Sequence, residues 1–276
     1  MNNPLAHLRH VGPGLVIAAT GLGAGDLIAA SVAGAKFGTT ILWAAVLGAI
    51  MKYTMNEGLT RWQLATGTTL LEGWVQRLPK FISIYFFIYL LAWSFIVAGA
   101  LIAGSGLAAH ALFPGLSVEQ WGILHSLLAL ALVLIGRYGL LEHLMKIFMG
   151  LMLLVVIICA VLVAPDLSEI FRGLLMPSVP EGSVIFIFSV IGGVGGSVTL
   201  LCYGYWIRER DWNKRSDMQR SRVDLAVAYI LTGLFGIAIM IISAGVHPDV
   251  MTGPDMALAV AGQLESVAGP FGKWCF

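Results

Sequence analysis

Two glycine-rich interruptions carry the residues whose types and spacing point to chemistry. The first, Thr20-Gly21-Leu22-Gly23-Ala24-Gly25-Asp26, divides an apolar stretch between Leu15-Val16-Ile17-Ala18-Ala19 and Leu27-Ile28-Ala29-Ala30. A carboxylate beside helix-weakening glycines is costly in hydrocarbon unless it has a partner or faces an aqueous cavity. Asp26 is therefore the leading candidate for contact with an ion or a proton; the blander reading makes it a cap for the half-helix that follows. The second interruption, Gly192-Gly193-Val194-Gly195-Gly196-Ser197, lies in a later apolar segment, just before Thr199 and Cys202. Unwound carbonyls at the two breaks (Gly21, Gly23 and Gly195 among them), the Asp26 carboxylate and the hydroxyls of Ser197 and Thr199 form an oxygen-rich set. Such a set suits a hard cation such as Mg²⁺, Ca²⁺ or Mn²⁺. Asp26 and Thr199 are the side chains expected on the metal. Cys202 would add one soft ligand if it faced the cavity, although a lone cysteine in an apolar segment is more often packing.

A third group sits in another apolar segment. Lys52 with Asn56 and Glu57 with Arg61 are i,i+4 pairs that give one helix a polar side, which should turn to the bundle or to water rather than lipid. Glu57 and Lys52 are read as an internal ion pair, with a proton relay through Glu57 as the alternative.

These residues need elements that cross a bilayer. The 276 residues are 58% hydrophobic and 11% charged, with a mean hydropathy of +0.88, against about 25% charged in soluble domains. The apolar residues come in blocks of about 20, long enough for transmembrane helices. A net charge of +1 offers no broad surface for nucleic acid. Cys159, Cys202 and Cys275 show neither disulfide nor zinc spacing. No cleavable targeting segment is apparent, since the start is weakly basic and the apolar stretch runs on past Asp26.

Spans are expected at 12–34 (broken at 20–26), 39–63, 81–111, 118–136, 141–163, 183–207 (broken) and 223–245, with the start of an eighth helix, cut off, at 269–276. Residues 64–80 and 164–182 read as loops, and Arg137-Tyr138-Gly139 as the turn closing the fourth span. With a cytoplasmic N-terminus, the inner regions hold Arg9, Arg61, Arg77, Lys80, Arg137, Lys146, Arg208, Arg210, Lys214, Arg215, Arg220 and Arg222. The outer loops then hold Lys36 and Arg172 alone, a clear positive-inside bias. In this orientation the broken spans one and six enter from opposite sides, as in a five-plus-five inverted repeat with its site at mid-membrane. The expected fold is thus an all-α polytopic membrane protein with a LeuT-like inverted repeat. Residues 1–163 form the first five-helix repeat and 164–276 an incomplete second repeat.

Gly12-Pro13-Gly14, Ala33-Gly34-Ala35-Lys36-Phe37-Gly38 with Leu42-Trp43, Arg61 with Thr66-Gly67, Tyr138-Gly139-Leu140-Leu141-Glu142 and Arg222-Val223-Asp224 together resemble the Nramp family of divalent metal ion transporters. The departures fall at the site. Where that family places Asp-Pro-Gly-Asn, this chain has Gly23-Ala24-Gly25-Asp26, so the carboxylate moves to the asparagine position. The Met-Pro-His of the family's sixth helix matches Thr199-Leu200-Leu201, without thioether or histidine. The resemblance implies secondary-active transport of a divalent cation (Mg²⁺, Mn²⁺, Ca²⁺ or Fe²⁺) as substrate, with proton coupling and no cofactor. It also implies a multi-pass protein in the lipid bilayer of a bacterial inner membrane. The alternatives are a cation-coupled carrier of an organic solute and a nontransporting fragment. Neither glycine cluster has the βαβ context of a dinucleotide loop or a Walker lysine, so no enzyme activity is expected.

Overall fold

The computed structural model describes residues 12–21, 23–163, 166–194 and 198–245, with a few isolated positions beyond 260. Its helices are α1 (Pro13–Gly21), α2 (Ala24–Phe37), α3 (Trp43–Thr66), α4 (Leu70–Arg77), α5 (Lys80–Leu112), α6 (Val118–Val163), α7 (Leu167–Leu175), α8 (Val184–Gly193), α9 (Thr199–Glu209) and α10 (Met218–Ser243). No strand occurs among the described residues. Lys80–Leu112, Val118–Gly136, Gly139–Val163 and Arg215–Ser243 are each long and apolar enough to cross a membrane. The pair formed by Pro13–Thr20 and Gly25–Phe37, bent by 55°, makes a fifth span. The 24 residues of α3 extend about 36 Å, also enough to cross, despite its polar side.

Both expected breaks separate pairs of short helices. At 1.5 Å per residue, α8 and α9 measure roughly 15 and 16 Å, each about half of a 30 Å hydrocarbon core. The packing of the two broken spans is crosswise: α1 lies on α9 and α2 on α8. The first half of one meets the second half of the other, so the pairs run antiparallel, the relation expected of inverted repeats. α10 packs against α1, α2, α3 and α6, and its Leu225, Ala228, Ile239, Met240 and Ile242 are fully buried. α2 crosses it closely, because a Cβ on Gly34 would come 2.7 Å from the Met240 Cα. A small residue there lets two backbones meet in the absence of a hydrophobic drive between helices.

α5 and the first half of α6 pack on each other and turn Phe81, Tyr85, Phe95 and Ile135 outward, an apolar surface matched to lipid. The helical backbone runs through 136–140, where the sequence suggests a turn. The helix is tighter there than a straight one, since a Cβ on Gly136 would sit 3.1 Å from that of Leu140 against about 5–6 Å for i,i+4 neighbours. The spans Val118–Gly136 and Gly139–Val163 meet at this point, as expected.

Two expectations are corrected. Residues 64–80 contain α4, which starts on a reciprocal capping box in which the Thr69 hydroxyl accepts from the Glu72 amide and the Glu72 carboxylate from the Thr69 amide. Residues 164–182 contain α7, capped by Asp166 accepting from the Ser168 amide at 3.0 Å.

Candidate functional site

Gly23 ends the first break. Its extended backbone (φ −72°, ψ 169°) places it at the N-cap of α2, and its carbonyl accepts from the amides of Asp26 and Leu27, both at 3.1 Å. Asp26 thus stands in the first turn of α2, where the helix dipole favours a carboxylate. Gly21 is the last residue of α1.

The second break meets this carboxylate directly. A Cβ on Gly193 would lie 3.1 Å from Asp26 Oδ1, so the missing side chain lets Asp26 approach the end of α8. Asp26, Gly193, Val194, Thr232 and Phe235 line a cavity of about 10 Å³, space of the order of one water molecule. Thr199 begins α9 on the far side of the break. Cys202 lies one turn further on and is half-buried, its Sγ 3.9 Å from the Val198 carbonyl within its own helix. Gly195 and Ser197 lie outside the described residues. Among the described residues no three His, Cys, Asp or Glu side chains gather into a metal cluster.

The internal pair expected between Glu57 and Lys52 is not what the fold builds. Glu57 accepts from Arg61 at 2.7 Å and from Arg222 of α10 at 2.9 Å. Lys52 is itself buried, 6% exposed. Five residues turn a helix by about 140° beyond one full revolution, so the two side chains leave α3 on different faces. Asn56 is also buried and donates to the Tyr229 hydroxyl at 3.1 Å. Gln63, two turns on, donates to the Gly204 carbonyl of α9 at 2.7 Å. His125 bonds back to the Trp121 carbonyl of its own helix at 2.8 Å.

A second polar centre lies where α1 begins. Asp224, 1% exposed, accepts from the amides of Gly12 at 2.9 Å and Gly14 at 2.6 Å, and from the Tyr203 hydroxyl at 2.9 Å. One carboxylate thereby satisfies two otherwise orphaned amides at the start of α1 and ties α1, α9 and α10 together. In the sequence Asp224 stands out only within Arg222-Val223-Asp224, and Tyr203 carries no local signal. The available signal was an acid facing a helix start at Gly12-Pro13-Gly14, but their proximity is tertiary. Beside it Glu142, 1% exposed, pairs with Lys146 at 2.6 Å and with Arg210. It is a buried ion-pair centre and not a surface charge.

Comparison with known proteins bears on this arrangement. A family description, natural resistance-associated macrophage protein-like (Nramp), matches residues 14–276. A protein named divalent metal cation transporter MntH from Chromohalobacter salexigens is 26% identical, over 91% of this chain and 61% of its own length. Its namesake from Yersinia pestis is 24% identical, over 86% and 59%. The chain thus spans about three-fifths of the curated relatives it matches. A crystal structure of the Eremococcus coleocola manganese transporter, in complex with an aromatic bis-isothiourea compound, superposes with a TM-score of 0.74 at 15% identity. It covers all of this chain and 63% of the transporter. A mutant of that transporter gives 0.73.

Proposed function

From the premise that this chain belongs to the Nramp family, as an integral membrane protein with the family's fold, we propose that it serves secondary-active transport of a divalent metal cation. The observation that carries this reading is the contact between Asp26 and Gly193. The chain's acidic side chain at the first break lies against the second, halfway along two antiparallel broken helices. The cation would be held by the Asp26 carboxylate, the carbonyls of Gly21, Gly23 and Gly195, and the hydroxyls of Ser197 and Thr199, with Cys202 at the margin. Alternating access would come from movement of the broken pairs against the remaining helices, with 1–163 and 164–276 as the two repeats and the start of α1 on the cytoplasmic side. An oxygen set without thioether favours Mg²⁺, Ca²⁺ or Mn²⁺ over softer ions. Protons are the natural coupling ion for a carboxylate-based site.

Uptake of Mg²⁺, Ca²⁺, Mn²⁺ and Fe²⁺ into proteoliposomes carrying the full chain tests this. Asp26→Asn, close in shape, should cut uptake of the accepted ion by at least tenfold while leaving the folded fraction intact. Uptake that survives that substitution removes Asp26 from the site.

A further inference from the structure

We propose that the groove between α3 and α10 binds one anionic phospholipid, its phosphate at the Arg222 guanidinium and an acyl chain between Ile50 and Ile230. The inference goes beyond transport and takes from that reading only the cytoplasmic placement of the start of α1.

Two adjoining cavities on one helix seam carry it. α3 and α10 pack on each other, and small residues make the floor between them: a Cβ on Gly233 would lie 3.2 Å from that of Ala49. Larger side chains stand on either side. Ile50, Tyr53, Ile230 and Leu234 wall an apolar cavity of about 340 Å³, and both isoleucines are exposed. Next to it Thr54, Glu57, Gln219 and Arg222 line a polar cavity of about 610 Å³. Tyr53 and Ala226 line both, so the two form one groove. The spacing explains the continuity. Val46, Ile50, Tyr53 and Glu57 recur every three or four residues along one stripe of α3, and Arg222, Ala226, Ile230 and Gly233 do the same on α10.

Charge and length select the occupant. Arg61 and Arg222 share the single Glu57 carboxylate, at 2.7 and 2.9 Å, which leaves one positive charge in excess at the polar end. Their side chains are 65% and 43% exposed, so both remain within reach of a headgroup. A guanidinium has five donors in a fork that matches phosphate. Arg222 lies near the start of α10, which the proposed orientation puts at the cytoplasmic surface, where basic pockets between spans attract anionic headgroups. The apolar part follows α10 from Ala226 to Ile237, about 16 Å. That is about half of a 30 Å hydrocarbon core, the depth of one leaflet. An apolar helix, from a second copy or another protein, would fill this part and bring no anion to Arg222.

Native mass spectrometry of the full chain in detergent tests the assignment, with phosphatidylglycerol, phosphatidylcholine of the same acyl chains, and inorganic phosphate as probes. Wild type should bind one phosphatidylglycerol about fivefold more tightly than phosphatidylcholine, the preference that one basic charge supplies at a membrane surface. Inorganic phosphate, which has no chain, should not bind at the same concentrations. Arg222→Gln cancels the excess charge and should abolish the preference; Glu57→Gln raises the excess and should widen it. Ala226→Phe blocks the passage between the two cavities, leaves every ion pair in place, and should remove the tight site. Equal binding of both lipids by wild type overturns the proposal, as does an unchanged preference in Arg222→Gln or in Ala226→Phe. Phosphate bound as tightly as the lipid would reduce the groove to an anion site, and lipid-free pairs of chains would assign it to a second copy; both are contrary results. Should Arg222→Gln fail to fold, Ala226→Phe decides alone.

Discussion

The two ends of the broken-helix pair are held by different physics. At the end where α1 begins, the contacts are directional and charged. Asp224 takes the amides of Gly12 and Gly14 and the hydroxyl of Tyr203, Glu142 takes Arg210 and Lys146, and Glu57 takes Arg61 and Arg222. At the end where α2 finishes, the contacts are close backbone packing and rings. Gly34 lies on the Met240 backbone, Gly173 against the Thr39 carbonyl, and Phe37 meets Phe186 with ring centroids 5.3 Å apart. A cavity lined by Thr39, Glu169, Arg172 and Met176 opens beside this second end. The two ends thus differ in what a single substitution can break: a directional polar contact at one, a close backbone approach at the other.

The largest expected effect comes from breaking the clasp at its most buried member. Asp224→Ala leaves the Gly12 and Gly14 amides without their acceptor and the Tyr203 hydroxyl with Ser221 alone, at about 2 kcal/mol or more in total. Thermal unfolding in detergent should show the loss, and hydrogen exchange at Leu15 and Val16 should rise. Asp224→Asn keeps one acceptor oxygen and should fall between. Exchange in α1 that stays at the wild-type level would mean that this end is not clasped through Asp224.

Gly34→Val tests the other end. The added side chain must separate α2 from the Met240 backbone, and overpacking of this kind costs about 1–3 kcal/mol. The expected signature is a lowered melting temperature with the exchange of the α1 amides unchanged, because the Asp224 contacts lie on the far side of the bend. Equal loosening of α1 in Gly34→Val would erase the distinction between the ends.

The same contrast decides what was legible in the sequence. The breaks at 20–26 and 192–197 were visible because glycine runs interrupt long apolar blocks, a local signal. Asp26 stood out because one carboxylate in hydrocarbon is rare. The capping box at Thr69 and Glu72 was equally local, and α4 was missed by treating a polar stretch as loop. The partners of Asp224 and Glu142 were not readable. Asp224 lies 212 residues from Gly12 and Glu142 lies 68 from Arg210, and charge patterning along one helix carries no information about a neighbour that distant. Hence Glu57 was assigned to Lys52 by nearness in sequence, while the fold pairs it with Arg222 as well as with Arg61 of its own helix.

The smallest effect sharpens the comparison at the rim of the clasped end. Arg208, at the end of α9, reaches Glu72 at 2.6 Å and the Gly67 carbonyl at 3.2 Å, joining α9 to the turn after α3. The Arg208 guanidinium, with help from the Thr69 amide, lowers the Glu72 carboxyl from 4.5 to about 2. A depressed acid contributes its full stabilisation above pH 4.5 and loses it as the pH falls through about 2. Both side chains are about a third exposed (33% and 39%), so solvent screening limits the pair to about 1 kcal/mol or less. Glu72→Gln keeps a residue that serves in a capping box and removes the charge. Its melting temperature should fall slightly and uniformly below wild type above about pH 5. The gap should close steadily between pH 4.5 and the lowest pH at which both remain folded. A gap that does not depend on pH would assign the contribution of Glu72 to its cap, and would leave the ionic character of this end to Glu142 and Glu57.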